Sequence, residues 1–243
     1  MRIVLAGATG FIGGAIARVL EVTPLARGAT PPRCDVLIWA AGNRGSDRRS
    51  HVAQAAAAMR AARPARAIYL SSGECYGNAP LPFREDGPAL GTSDYARAKL
   101  AGEQAVRPAI ALRLGVVYGP NQPCTMLLSH VAAALRAGSR VALTAGTQTR
   151  DFVFVDDVAD AVAAAIAAVD PPPVINIASG RETTVRDACL ELARILDRPA
   201  ALLGFGDLAM RPDEPGRYVL DPALAATALG WHARTPLAIG LAR

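Results

Sequence analysis

Arg2-Ile3-Val4-Leu5-Ala6-Gly7-Ala8-Thr9-Gly10-Phe11-Ile12-Gly13 opens the chain and decides how the rest is read. Arg2 to Ala6 is a short apolar run with the length and β-branched content of a buried strand. Phe11 to Leu20 follows with the spacing of a helix. The three glycines between and just inside these elements each have a physical reason: Gly7 permits a tight turn, Gly10 lets backbone amides approach an anionic group at the positive end of a helix, and Gly13 allows close helix-strand packing. Strand, glycine-rich turn and helix in that order is the setting of a phosphate-binding loop, with an ordinary strand-to-helix turn as the alternative.

Outward from this point, apolar runs alternate with alanine-rich helical stretches, the pattern of a parallel sheet covered on both faces. Strands are expected at Arg2 to Ala6, Val36 to Ala40, Ala67 to Leu70, Ala109 to Leu114 and Val174 to Ile177. Helices are expected near Phe11 to Leu20, His51 to Ala62, Asp94 to Val106, Leu127 to Ala137, Val158 to Val169 and Val185 to Leu196. The fold class is α/β. One stretch is too short for this plan: if Glu21 to Ala26 is the second strand, only Gly28 to Cys34 separate Arg27 from Asp35, where the next strand begins. A strand-helix-strand unit takes roughly 30 residues, so a crossover helix and a strand are missing. Seven extended residues reach at most about 25 Å, enough to return along a short strand, and one sheet edge is left bare.

Lys99 is the only lysine among 26 basic residues and stands four residues after Tyr95. That spacing places both side chains on one helix face, with Thr92, Ser93 or Asp94 available as the cap. A compact ammonium contacts a phenol and a sugar hydroxyl in a way that a planar guanidinium does not. A surface tyrosine beside a solvated lysine is the bland alternative.

At 243 residues and 51% hydrophobic, the chain can bury a full core. The net charge of +5 comes from scattered arginines without interleaved aromatics, which favours anionic small molecules over nucleic acid. Four cysteines with no Cys-x-x-Cys pair and three histidines suggest reduced thiols and no metal site. No leader or membrane-spanning run is evident, so a cytoplasmic protein without membrane partners is expected.

With these features in place, the sequence resembles the extended short-chain dehydrogenase/reductases, the NAD(P)-dependent nucleotide-sugar epimerase and dehydratase family. The motifs that carry the resemblance are the glycine loop, Ala40-Ala41-Gly42, Ser71 to Gly77, the Tyr95/Lys99 pair, Arg113 to Pro120, Arg150 to Asp157, Asn176-Ile177-Ala178 and Leu229-Gly230-Trp231. It implies a Rossmann-like doubly wound parallel sheet with a small C-terminal substrate-binding lobe. Residues 1–115 would form the cofactor domain, completed by about 150–178, and 116–149 with 179–243 the lobe.

The resemblance further implies a role for each matching residue. Gly7, Thr9, Gly10, Phe11, Ile12, Gly13, Ala40, Ala41, Gly42 and Lys99 would contact NAD or NADP. Tyr95 would be the general acid/base and Ser72 its partner at the same substrate oxygen. Glu74 matches a glutamate that handles a proton in family dehydratases, although Gly73 stands where hexose dehydratases have an acidic aspartate. Arg150 and Arg211 would clamp the sugar-nucleotide pyrophosphate. Arg27, with no acid at that strand end, tilts the cofactor toward NADP. Asp156 and Asp157 are expected to cap the helix after them. His51-Val52 replaces the usual Asn-Val on the helix lining the site, and Val116 stands where many sugar-nucleotide enzymes place an asparagine.

The expected function is hydride transfer at a hexose carbon of a nucleotide sugar, C4 above all, giving an epimerase or dehydratase. The alternatives are an NADPH-dependent ketoreductase acting on a keto sugar or small ketone, and a catalytically decayed dinucleotide-sensing protein. A homodimer through the His51 to Ala62 and Asp94 to Val106 helices is expected by analogy.

Overall fold

The computed structural model describes residues 1–42, 48–211 and 214–243. In chain order its elements begin with β1 (Ile3–Ala6), α1 (Phe11–Val19), β2 (Thr23–Leu25), β3 (Val36–Trp39), α2 (Arg48–Ala62) and β4 (Arg66–Ser72). A 3-10 turn, Gly73–Tyr76, precedes α3 (Asp94–Ala105), β5 (Ile110–Leu114), β6 (Val116–Tyr118), α4 (Leu127–Arg136) and β7 (Val141–Leu143). The chain continues through β8 (Thr149–Phe154), α5 (Val155–Ala167), β9 (Val174–Ile177), β10 (Glu182–Thr184) and α6 (Val185–Ile195). It ends with β11 (Leu203–Phe205), α7 (Ala223–Leu229) and α8 (Leu237–Leu241).

The main sheet is parallel, in the order β2-β1-β3-β4-β5-β9. Its strands are apolar runs because both faces are covered, and alternate residues go to opposite layers. Ile3, Leu5, Val36, Ile38, Ile68, Leu70, Ile110 and Leu112 share a core with residues of α1 and α5. Val4, Ala6, Leu37, Trp39, Tyr69 and Ala111 share the other core with α2. The strand order reverses between β2 and β3, on either side of β1, so the glycine turn after β1 opens at that switch point.

The short connection is as the residue count requires. β2 forms the sheet edge, pairing with β1 alone, and the chain returns from Ala26 to Asp35 without a helix. Asp35 ties the start of β3 to the start of β1: its carboxylate accepts from the Arg2 N–H at 2.6 Å and its own N–H donates to the Arg2 carbonyl at 3.0 Å. Pro24 sits in that edge strand, where its missing N–H costs no ladder bond.

After Gly115 the chain builds smaller sheets, β10-β8-β6 and β11-β7, with their own core. Val131, Leu135, Val141, Leu143, Cys189 and Leu192 are among the buried residues packing α4 and α6 over β7 and β11. These elements and the C-terminal helices form a distinct lobe.

One expectation is corrected here. Asp156 and Asp157 do not cap α5, which starts at Val155 behind Phe154 with no side-chain cap. Asp157 instead accepts from the Thr235 N–H at 2.9 Å and the Thr235 hydroxyl at 3.1 Å, holding the C-terminal segment, while Asp156 pairs with Arg18 on the surface. A carboxylate here satisfies a nearby loop, because the helix already begins from a buried strand end.

Candidate active site

The loop after β1 carries the first part of the site. Gly7 has φ +85, and a Cβ on it would lie 2.8 Å from the Ala41 nitrogen and 2.9 Å from the Ala40 carbonyl carbon. Gly13 lies so close under the loop that a Cβ would come within 2.7 Å of the Gly7 carbonyl carbon. Any side chain at either position would push the turn away from the sheet. Gly10 takes the N-cap position of α1 in extended conformation, without a side-chain cap. Phe11 and Ile12 pack their side chains against the core, leaving their backbone N–H groups, with that of Gly13, as the first-turn donors of the helix. Thr9 and Gly10 are exposed at the turn.

At the end of β3, Ala40, Ala41 and Gly42 line the same edge. Trp39, Ala41, Gly42, His51, Val52, Tyr69, Tyr95 and Lys99 are among the residues that surround one cleft. Arg27 lies exposed two residues beyond β2, on the edge next to the loop.

Ser93 starts α3, its hydroxyl accepting from the Ala96 N–H at 3.0 Å. This cap sets Tyr95 and Lys99 one helical turn apart on the cleft-facing side. The Lys99 ammonium donates to the Leu70 carbonyl at 2.7 Å and lies 5.7 Å from the Tyr95 ring centroid and 5.2 Å from that of Tyr69. Leu70 is two residues before Ser72 on β4, so the lysine bridges helix and strand at the reacting edge. Burial pulls the Lys99 pKa down to about 8, against opposing pulls from Cys75 and Glu103.

That shift has a stability consequence. Between pH 8 and the ordinary lysine value of 10.5, the unfolded chain holds the proton and the fold does not, so stability of the ligand-free protein rises across that window. Below pH 8 the buried charge costs about 3 kcal/mol in full. Lys99→Met removes the charge and the bond to Leu70, itself worth about 1 kcal/mol. The variant is expected to be more stable by about 2 kcal/mol at pH 7 and to lose that advantage as the pH rises to 10.5. Paired thermal melts across that range check it.

Ser72, the last residue of β4, is buried and accepts from the Glu74 N–H at 3.2 Å, which starts the 3-10 turn. Glu74 is partly exposed and acts electrostatically on Arg150. The Arg150 side chain is largely enclosed. It donates to the Thr149 and Pro215 carbonyls and pairs with Glu214. The exposed Arg211 pairs with the same carboxylate. Arg150 and Arg211 are therefore brought together, with Glu214 between them.

Three groups were not singled out in the sequence. Glu214 is the carboxylate shared by the two arginines. Glu103 and Arg113 form a buried pair behind the site. Tyr218, buried beside Ser72 and Glu74, enters from the far end of the chain. Tyr218 meets the site only through residues far away in the chain, and Glu214, although three residues after Arg211, is joined to Arg150 across 64 positions. Among the described residues, no cluster of His, Cys, Asp and Glu could hold a metal ion, and no helix is long and apolar enough to cross a membrane.

A doubly wound parallel sheet with a glycine turn at its switch point and a Tyr-Lys pair at its edge defines an α/β protein of the dinucleotide-fold type. The chain belongs to the NAD dependent epimerase/dehydratase family, whose model matches residues 46–178.

Among relatives, it is 35% identical over 204 residues to the dTDP-6-deoxy-L-talose 4-dehydrogenase (NAD(P)(+)) of Kitasatospora kifunensis, covering 76% of this chain and 62% of that protein. It is 31% identical to the UDP-glucose 4-epimerase of Mycolicibacterium smegmatis, covering 77% and 64%. The chain thus spans about three fifths of the length of these relatives. Among solved structures, MoeE5 in complex with UDP-glucuronic acid and NAD superposes with a TM-score of 0.88 at 26% identity, over 100% of this chain and 97% of MoeE5. The glycine loop, which precedes the family-model match, lies within that superposition.

Proposed function

We propose that the chain is an NAD(P)-dependent oxidoreductase of the epimerase/dehydratase type, acting at a hexose carbon, C4, of a nucleotide sugar. The observation that carries this reading is the Lys99 ammonium held between the Leu70 carbonyl and the Tyr95 ring, beside Ser72 and at the edge where the glycine turn opens. A mere binding site has no need for a phenol and a costly buried ammonium on one helix face.

The residues fit a dinucleotide. The loop at Gly7 and Gly13 leaves no room for side chains, so backbone N–H groups meet the pyrophosphate. In the cleft, His51 Nδ1 is buried without a hydrogen-bond partner among the described residues, a polar atom waiting for a ligand or water. Gly42 adjoins Lys99 in this cleft, a Cβ there lying in ordinary contact with Lys99 Nζ at 3.7 Å. Phe11, Ile12, Gly13, Ala40, Ala41, Gly42 and Lys99 would hold the group, with Arg27 toward the adenosine 2′ position, which favours NADP slightly over NAD. When bound, the nicotinamide accepts and returns the electron pair of a sugar C–H bond.

The chain's own residues do the rest. Lys99 favours the ionised form of the Tyr95 phenol, which takes the hydroxyl proton at C4. Ser72 hydrogen-bonds the same oxygen. Arg150 and Arg211 exchange Glu214 for the diphosphate, and this remote grip orients the hexose. Glu74 is the group placed to move a proton at a neighbouring carbon if water is lost. The lobe after Gly115 closes over the sugar, and the α2–α3 surface serves a homodimer.

A one-way ketoreductase is the second reading, supported by the 35% identity to a dTDP-sugar 4-dehydrogenase. It differs in consuming NADPH stoichiometrically, where epimerases and dehydratases regenerate their cofactor.

Thermal-shift screening with NAD, NADP, UDP, dTDP, GDP and CDP tests the proposal. A ligand at 100 times its dissociation constant stabilises the fold by about 2.7 kcal/mol, which for a chain of this size raises the melting temperature by roughly 5–10 °C. One dinucleotide and one base are expected to do so. A flat response to both dinucleotides would sink the reading.

A further inference from the structure

We infer that Tyr218 is a second phenol of this active site, a positioning residue that hydrogen-bonds Ser72 and directs the Ser72 proton toward the substrate oxygen. The inference deepens the proposed reaction and rests on that reading for its kinetic half alone.

The placement comes from Gly73. A Cβ added there would strike the Tyr218 hydroxyl oxygen and come within 3.0 Å of both Leu220 methyl groups. The phenol therefore occupies the slot that a side chain at position 73, between Ser72 and Glu74, would fill. It is held there on every side. Phe83 meets its ring edge-on at 5.5 Å, the Arg150 guanidinium lies 5.9 Å from its centroid, and Phe83 in turn stacks on Tyr76. The strand segment that carries it is fixed through the buried Asp151 carboxylate, which accepts from the Leu220 N–H at 3.3 Å and from Ser179 and Gly180.

The hydroxyl is only loosely committed elsewhere. Its bond to the Leu114 carbonyl is 3.5 Å long, at the outer limit for such a contact. The hydroxyl lies against Gly73, the residue next to Ser72, with Glu74 and Tyr95 as the nearby acidic groups. Burial, Glu74 and Tyr95 all push its pKa well up, so it stays protonated.

Donor counting then decides what Ser72 does. A serine hydroxyl has two acceptor lone pairs and one proton. The Glu74 N–H fills one lone pair at 3.2 Å. A protonated Tyr218 fills the other, and the remaining Ser72 proton points outward to the sugar oxygen beside Tyr95. Ser72 is thereby fixed as a donor, the polarity that stabilises a carbonyl oxygen as it forms or reacts.

The test is a double-mutant cycle of Ser72→Ala and Tyr218→Phe, read twice on the full chain. In thermal melts of the ligand-free protein the two changes are expected to be non-additive, because each removes the same bond. Gly73→Ala is expected to melt lower than the parent and to be partly rescued by Tyr218→Phe, which clears the oxygen it would strike. In turnover of the nucleotide sugar selected by the ligand screen, Tyr218→Phe is expected to lower kcat about tenfold, or about 1.4 kcal/mol, with KM unchanged. The same change is expected to have no further effect in the Ser72→Ala background. Additive melting shifts, or an equal loss of kcat in both backgrounds, would overturn the inference. A protein that turns over nothing but shows coupled melting would refute the reaction and leave the Ser72–Tyr218 contact standing.

Discussion

Tyr95→Phe is expected to lower turnover about a thousandfold while the dinucleotide still binds with its parental affinity. General acid-base catalysis by a placed side chain contributes 10²–10⁴-fold, and phenylalanine keeps the ring that packs beside Lys99 while deleting the one oxygen able to take the proton. The ammonium remains bonded to the Leu70 carbonyl, so the cleft keeps its shape. Steady-state kinetics with calorimetric titration of NAD and NADP check both halves. Loss of turnover with binding intact assigns the phenol a chemical role. Unchanged turnover would leave the sugar-oxidising reading without its base, and no turnover in the parent would favour the sensing protein.

The second large effect lies behind the site. Glu103→Ala is expected to cost 3–5 kcal/mol, about the size for breaking one side of a buried ion pair. Glu103 accepts from Arg113 Nε at 3.0 Å, from Arg113 Nη2 at 2.9 Å and from the Ser71 hydroxyl at 2.5 Å. Both charged side chains are 7% exposed, so removing the carboxylate strands a guanidinium away from water.

The damage would spread. Arg113 stacks 4.6 Å over the Tyr76 ring, and the Tyr76 hydroxyl donates to Asn176 at 2.7 Å on the last strand of the sheet. Glu103 therefore ties α3, which carries Tyr95 and Lys99, to β5 through Arg113 and, through Ser71, to the strand that ends in Ser72. A fall in melting temperature of roughly 10 °C, followed by circular dichroism, is the expected readout. Glu103→Gln, which keeps an acceptor for Ser71, is expected to fall less. Equal melting of the alanine variant and the parent would show the pair to be dispensable.

The main sheet was legible because its strands are continuous apolar runs and its helices carry the alanine-rich spacing between them. Val174–Ile177 is found where expected, and the other strands and helices lie within three residues of their expected ends, with many ends coinciding. The helix-free return between Arg27 and Asp35 followed from counting alone. β6 and β8, with the three-stranded sheet they form with β10, were not foreseen as strands, nor were β7 and β11. Val116–Tyr118 reads as a continuation of β5, and only its pairing with Phe152, Val153 and Phe154 makes it a separate strand.

The site divides in the same way. Gly7, Gly13, Ser72, Tyr95 and Lys99 sit in local patterns whose spacing has a geometric meaning, so the chain itself announces them. Tyr218 has no such pattern. It reaches Ser72 through the pairing of Leu220 with Phe83, a contact across more than a hundred positions. Glu214 is half local: it stands three residues after Arg211, and only its pairing with Arg150 depends on convergence in space.

The spare edge beside β2 also marks a splice point. Arg27 and Asp35 lie exposed at the two ends of a surface loop whose Gly28, Ala29 and Thr30 face solvent, and Pro24 leaves the outer strand short of a donor for any intruding chain. A strand and helix grafted between those two positions would lengthen the sheet by one rung without touching the catalytic edge. The architecture is therefore modular at this seam, a short edge onto which a further strand and helix can be built.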